Sequence, residues 1–287
     1  MNYTTEQLRA YASLFSSQTG MRTLRFGDID DIQYVYDKYD AVHYHDRDLS
    51  CWDYLSKVYD VLRRHYRNEY VYKNELINDF LKDRYLQKDT VILNEFGAGT
   101  SIADIATFNG NSKAFEIKSE RDSDKRLLHQ LDDYSKLFDE CYVVVPEEQS
   151  RKYESLLDVH VGMLLLSHGE RGSISVHVYR PALLNPHIDI DILMQSVRMS
   201  EYQWMVRQVM GRLPDVSCFE MFNACKSVLM DVPEGELHVM FNEVVKLRKS
   251  KMSDLKEKSR SVRQLFLSMN LNRKQERELD LLYQTIL

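Results

Sequence analysis

The chain reads as an α/β protein whose middle third carries a mixed sheet between two helical flanks. Three observations predict this. Hydrophobic spacing is helical up to about residue 64, alternates between helix and strand through the middle, and is helical again beyond Pro186. Short β-rich runs at 90–96, 101–108 and 113–119 are separated only by glycine-containing turn signals. The run CYVVVP at 141–146 is apolar without alternation, as in a strand buried on both faces of a parallel sheet.

Taken in order, residues 68–86 place Val71, Leu76, Phe80 and Leu81 at roughly helical spacing. TVILNEF (90–96) is a first strand that ends at the turn signal Gly97-Ala98-Gly99. SIADIATF (101–108) is a second, stopping at Asn109-Gly110, the dipeptide most favoured in two-residue hairpin turns. Pairing about that turn places Phe108 beside Asn111 and Asp104 close to Ala114–Glu116. KAFEIKS (113–119) is a third strand, 125–138 an amphipathic helix, and 141–146 the buried parallel strand. A helix at 151–157 precedes strands at 161–167 and 174–180. The order is αβββαβ with additions, hence a mixed central sheet flanked by helices. The implied organisation is an N-terminal helical region over 1–66, the core over 67–182 and a C-terminal helical region over 183–287.

The bulk properties narrow the class. With 287 residues, 44% of them apolar and 29% charged, the chain suits one large domain or a core with additions. Four cysteines with no C-x-x-C pair argue against a zinc ribbon or a disulfide framework and fit a reducing cytoplasm. No apolar stretch is long enough to span a bilayer, and the first residues read as a capped amphipathic helix rather than a signal peptide, so a cytoplasmic location is expected. The net charge of −6 weighs mildly against a nucleic-acid partner, because phosphate binding needs clustered Lys and Arg. Binding is local, however. Lys246, Arg248, Lys249, Lys251, Lys256, Lys258, Arg260 and Arg263 face only Asp254 and Glu257, a run that more often marks a solvated helical face than a nucleic-acid contact. No phosphate-cradling G-x-x-x-x-G-K-[ST] motif occurs.

Three charged residues stand out by position. Asp104 lies inside an apolar strand, and Glu116 and Lys118 share one side of the next while Phe115 and Ile117 face the other. Charges within core strands are costly unless paired or bound to metal. A hairpin between these strands brings two carboxylates and an ammonium to one point. Phosphodiester cleavage wants such a set: carboxylates to hold Mg²⁺ or Mn²⁺, and a lysine to orient water and offset phosphate charge. Glu75, on the preceding helix, would supply a further ligand. The alternative for Glu116-x-Lys118 is a structural salt bridge. For Gln130 and Tyr134, one helical turn apart, it is plain adjacency.

The pattern Asp104-x11-Glu116-Ile117-Lys118 on successive strands resembles the PD-(D/E)XK, or restriction-endonuclease-like, nuclease superfamily. Gln130-x-x-x-Tyr134 on the following helix resembles the Q-x-x-x-Y motif of its RecB-like branch. The stretch from Asn68 to Glu148 as a whole is similar to a bacterial family within that superfamily. The resemblance covers about Glu69–Arg180 and implies a restriction-endonuclease-like core, with Asp104 and Glu116 as metal ligands and Lys118 as the catalytic lysine. It makes Glu75 the helix acid, and Gln130 and Tyr134 organisers of the site. Ala103 stands where the superfamily often has proline. The activity implied is Mg²⁺-dependent (or Mn²⁺-dependent) hydrolysis of DNA, in defence against foreign DNA or in repair. An RNA-directed nuclease or a catalytically silent binding or scaffolding protein are the alternatives. No membrane is implied. Cutting both strands needs two active sites. A homodimer would supply them, and Val244, Leu247, Leu255, Leu265, Phe266, Leu271, Leu279, Leu282 and Leu287 offer a helical bundle, a dimer surface or a seat for a protein partner.

Overall fold

The computed structural model describes residues 3–44, 48–81, 90–120, 122–248, 255 and 258–287. Its contacts divide the chain into two compact units. One gathers Met1–Asp83, Ser167–Val176 and Asp254–Leu287, and the other gathers Arg84–Leu166 and His177–Ser253.

The first unit is helical. Helices α1 (Thr5–Ser13), α2 (Ser17–Phe26), α3 (Asp30–Tyr39), α4 (Ala41–Tyr44), α5 (Cys51–His65) and α6 (Glu69–Glu75) are joined by α13 (Arg263–Met269) and α14 (Arg273–Leu282) from the end of the chain. The starts are written in sequence. Thr4, Ser16, Ser50 and Asn68 each turn a side-chain oxygen onto an orphan N–H of the first helical turn. Helix α6 passes directly into a π-helical segment, Leu76–Leu81, so the helix expected over 68–86 is α-helical only in its first part. Residues 82–86 of that expectation lie outside the described residues. The buried carboxylate of Asp40 accepts from Tyr11 and Tyr54, each at 2.7 Å from Oδ2.

The second unit is built on the sheet. Strands β1 (Val91–Ala98), β2 (Ser101–Asn109) and β3 (Asn111–Ile117) form an antiparallel meander, after which α7 (Leu127–Ser135) returns the chain to β4 (Glu140–Pro146), parallel to β3. A second crossover, α8 (Ser150–Leu156), leads to β5 (Gly162–His168), parallel to β4, and β6 (Ile174–Arg180) completes a six-stranded mixed sheet in the order β1-β2-β3-β4-β5-β6. The turn residues Ser167–Val176 between the last two strands are grouped with the first unit. The α/β class and the αβββαβ order predicted from patterning are therefore what the chain forms. β4 is flanked on both sides by parallel neighbours, which is why Cys141, Tyr142, Val143, Val144 and Val145 are all buried without alternation.

Helices α9 (Ile190–Ser196), α10 (Met199–Met210), α11 (Met221–Met230) and α12 (Glu234–Lys246) pack into the same core. Phe241 of α12 meets Phe96, Phe108 and Phe138 at centroid separations of 6.0, 5.5 and 6.2 Å. Each such buried ring stabilises by about 2–3 kcal/mol through removal from water. Asp139, at the mouth of β4, ties the layers together. Its Oδ2 accepts from the Ser112 N–H at 2.6 Å, the Ser112 hydroxyl at 2.7 Å and the Asn242 amide at 3.0 Å.

The C-terminal apolar positions are used within the chain: Val244, Leu255, Leu265, Phe266, Leu271 and Leu279 are buried, while Leu247 is exposed. The basic run is used likewise. Arg248 pairs with Glu201, Lys258 with Asp280, and Arg260 with Glu75 and Asp79. Lys249, Lys251 and Lys256 lie outside the described residues. A run of like charge is therefore neither a free solvated face nor a ready phosphate track at these three positions. Among the described residues, no helix is long and apolar enough to cross a membrane.

The Glu201–Arg248 pair gives a test of this packing. Arg248 donates through Nε to Oε1 at 2.7 Å and through Nη2 to Oε2 at 2.6 Å, and Oε2 also takes the Arg198 N–H. Burial works against the charge on Glu201, but Arg248 and that N–H outweigh it and hold the carboxyl below its ordinary range. A folded-state value below the unfolded one contributes stability that is complete above the unfolded carboxyl value, about pH 4.3, and is lost as pH falls through the folded value. Glu201→Gln should lower the melting temperature at neutral pH and flatten its fall in acid. A melting profile parallel to the parent's from pH 7 to pH 3 would contradict this role.

Candidate active site

The β2–β3 hairpin brings the expected residues together, in a register one step from the one expected. Phe108 lies opposite Ser112 rather than Asn111, because Gly110 alone occupies the tip between the paired residues Asn109 and Asn111. Its φ of +81° is a conformation that glycine adopts at little cost. Backbone pairing stops at Ile105 and Phe115. One residue further on, the Asp104 carboxylate takes over the role of a backbone partner, with Oδ2 accepting from the Ile117 N–H at 2.7 Å. On the other side of β3, the parallel ladder continues past the strand end as the Lys118 N–H donates to the Val144 carbonyl. β3 thus holds Glu116 and Lys118 rigidly between two neighbours.

Glu116 and Lys118 sit on one side of β3 and pair with each other at 2.7 Å, both almost entirely buried. Helix α7 supplies the rest. Gln130 Oε1 accepts from Lys118 Nζ at 3.2 Å. The Tyr134 hydroxyl lies 2.7 Å from Glu116 Oε2 and 2.7 Å from the Ile102 carbonyl, so one proton is shared between two acceptors. Burial, then the charge of Glu116 and its hydrogen bond, push the Tyr134 hydroxyl far above its ordinary value. It therefore stays a donor throughout the usual pH range. Glu116, Lys118, Gln130 and Tyr134 form one hydrogen-bonded network, and the hairpin register sets Asp104 across from Glu116.

The helix α7 is clamped to the β1–β2 turn by Asp133. Its Oδ2 accepts from the Thr100 N–H and hydroxyl at 3.1 and 2.9 Å and from the Ser101 hydroxyl at 2.7 Å. This clamp sets where Gln130 and Tyr134 stand, since they lie on the neighbouring stripe of the same helix.

Glu75 has structural partners of its own. It belongs to the first unit, is fully buried, and has both oxygens engaged: Oε1 accepts from Tyr59 at 2.7 Å and Oε2 from Arg260 at 2.7 Å. Residue type and position suggested a helix acid, but the sequence pattern carried no sign of the arginine 185 residues later. One further residue beside the site reads in sequence either as a supporting acid or as an edge charge of the first strand, and is not among the expected site residues. Glu95, exposed on β1, has φ +55°, which no other non-glycine residue described shares except Asn270 at +47°. The pairing of Asn94 with Ile105 and Phe96 with Ala103 sets it across from Asp104. Strain of this kind costs about 1–3 kcal/mol and gathers at functional sites. An acidic residue in the middle of a strand next to Asp104's was the available signal.

The donor set was weighed for a metal. Among the described residues, no group of three or more His, Cys, Asp or Glu could hold an ion. Two hard carboxylates, Asp104 and Glu116, remain. That suits Mg²⁺, which takes one or two carboxylates and keeps several waters, and not a structural zinc or calcium cage.

Comparison with known proteins gives a family and little else. The family model described as "Bacteriophage P4 protein cII" matches residues 63–283, well over half the chain and both units. No curated protein matches. Among solved structures, a protein of unknown function from Silicibacter pomeroyi is similar at 17% identity and a TM-score of 0.32, over 52% of this chain and 94% of its own. A likeness at that level bears on neither fold nor function.

Proposed function

The chain belongs to the bacteriophage P4 protein cII family, and we propose that it is a metal-dependent nuclease that hydrolyses phosphodiester bonds in DNA. The family description names no reaction, so the reading rests on the site. The observation that carries it is the convergence, on one hairpin and one helix, of Asp104, Glu116 and a buried lysine that Gln130 and Tyr134 hold in place. A structural salt bridge needs no such surroundings. Burying an ion pair is a poor source of stability in itself, so the pair is better explained by chemistry than by folding.

Asp104 and Glu116 would hold Mg²⁺ or Mn²⁺, which when bound offsets charge on the phosphate and makes water acidic enough to attack. The protein's own groups do the following. Lys118, fixed between Glu116 and Gln130, presents a positive charge where negative charge grows on the phosphate oxygens. Tyr134 holds Glu116 by one oxygen and keeps the other turned towards Lys118. Asp104 is aimed by the Ile117 N–H. All of these supports sit on sheet and helix, which keeps the site preorganised before substrate arrives.

A second reading, a nuclease-like binding or scaffolding protein without turnover, draws on the small donor set and on both Glu116 oxygens already being hydrogen-bonded. Metal binding separates the two. Under the nuclease reading, Mg²⁺ raises the melting temperature by mass action, and Asp104→Ala abolishes the rise. Supercoiled, linear and single-stranded DNA, and RNA, should then be assayed with Mg²⁺ or Mn²⁺ and with EDTA. Cleavage of RNA alone would move the substrate class. No metal-induced rise and no cleavage of any substrate would leave the scaffold reading.

A further inference from the structure

We propose that the first unit carries a separate nucleotide pocket between α2 and α14, which seats one base and its phosphate from single-stranded nucleic acid or from a free nucleotide. The cavity has a volume of about 660 Å³ and is lined by Gln18, Met21, Arg22, Arg25, Phe26 and Gln275, with Leu24 and Glu278 completing the wall. That volume is in the range of small-molecule sites, about 300–1,000 Å³, and leaves room for a nucleotide.

The chemistry of the lining is the argument. Phe26 ends α2 with 60% of its surface exposed, and Met21 one turn and a half earlier is 42% exposed. Large apolar side chains left open inside a cavity call for a flat apolar partner. The guanidinium groups of Arg22 and Arg25 lie 6.0 and 5.4 Å from the Phe26 ring centroid. An exposed ring with guanidinium groups stacked over it is a surface on which an unpaired base can stack, with the cation reaching the backbone phosphate. Arg22 is partly neutralised by Asp31 at 3.1 Å. Arg25 has no ion-pair partner among the described residues, and is the charge available to a phosphate. A cation in the last turn also offsets the helix dipole. That explains Arg25 alone, but not the exposed ring or the cavity around it. The Gln18 and Gln275 side-chain amides can both donate and accept, which suits base edges without fixing one base. The pocket calls for a single strand rather than a duplex, since a paired base offers no free face to stack.

The test is binding by the full chain in EDTA, where metal-dependent cleavage does not consume the probe, and the comparison of variants assigns the binding to this pocket. The probe is a fluorescein-labelled oligothymidylate followed by anisotropy, with AMP as competitor. Phe26→Ala should weaken binding by about tenfold. Arg25→Ala should weaken it and lower the slope of log affinity against log salt by about 1. Both residues are exposed, so both variants should fold, which circular dichroism and melting temperature check. Displacement by AMP assigns the pocket to a nucleotide unit; failure of AMP with retained sensitivity to both substitutions assigns it to a strand. Either supports the proposal. Absence of binding by both oligothymidylate and fluorescently labelled AMP, or binding unchanged in the Arg25→Ala/Phe26→Ala double variant, would overturn it.

Discussion

If the proposed nuclease reading holds, Lys118→Ala is expected to lower Mg²⁺-dependent DNA cleavage by about 10²–10³-fold, the loss that follows when one preorganised group facing developing charge is removed. The ammonium is buried, sits on a strand held from both sides, and lies between Glu116 and Gln130. Nothing mobile stands in for it. The substitution also leaves Glu116 buried with Tyr134 as its remaining side-chain partner, so the variant is less stable as well as slower. The two effects separate by assaying at a temperature well below the variant's melting point. They separate again in Lys118→Met, which restores volume without charge. Methionine should recover stability but not cleavage. Parental rates in either variant, with cleavage by the parent confirmed, would remove Lys118 from the mechanism.

Arg260→Leu destabilises the protein by about 3 kcal/mol, the lower part of the range for stripping one partner from a buried pair, because the arginine side chain is itself half exposed. Glu75 is fully buried and would keep only the Tyr59 hydroxyl, and Asp79 loses the same cation. Removing both members with Glu75→Leu/Arg260→Leu should recover much of the loss, since an unpaired buried charge is what costs most. Urea unfolding read by two probes measures this, with coincident transitions as the check that one free energy describes the change. Equal destabilisation in single and double variants would show that the pair is not coupled. The same pair decides the role of Glu75. If it is structural, Glu75→Gln lowers the melting temperature and leaves the rise produced by Mg²⁺ unchanged. If it is a ligand, that rise shrinks.

What the sequence made legible was local. Period-two alternation put Glu116 and Lys118 on one side of a strand, and a glycine turn placed Asp104 across from them, so the centre of the candidate site followed from spacing alone. Gln130 and Tyr134 came from the resemblance to the Q-x-x-x-Y motif, because one helical turn of separation by itself marks only neighbours. The register was off by one because the tip is Gly110 alone, and loop length is a backbone choice that a dipeptide only biases. What stayed hidden was nonlocal. Glu75 meets Arg260, Asp139 meets Asn242 across 103 residues, and the basic run meets acids throughout the chain. A charge run looks the same in sequence whether its partners are solvent, phosphate or distant carboxylates. Only the fold distinguishes them.

The interleaving of the two units has a genetic consequence. The chain passes from one to the other after Asp83, Leu166, Val176 and Ser253, and the family match from 63 to 283 spans all four passages. A single recombination joint anywhere in the coding sequence cuts through at least one unit. Exchange of the 84–253 block would carry Ser167–Val176 with it into a foreign set of helices. Neither unit can be inherited as a cassette. A shuffled descendant keeps its fold only where the incoming turn matches the helices it joins.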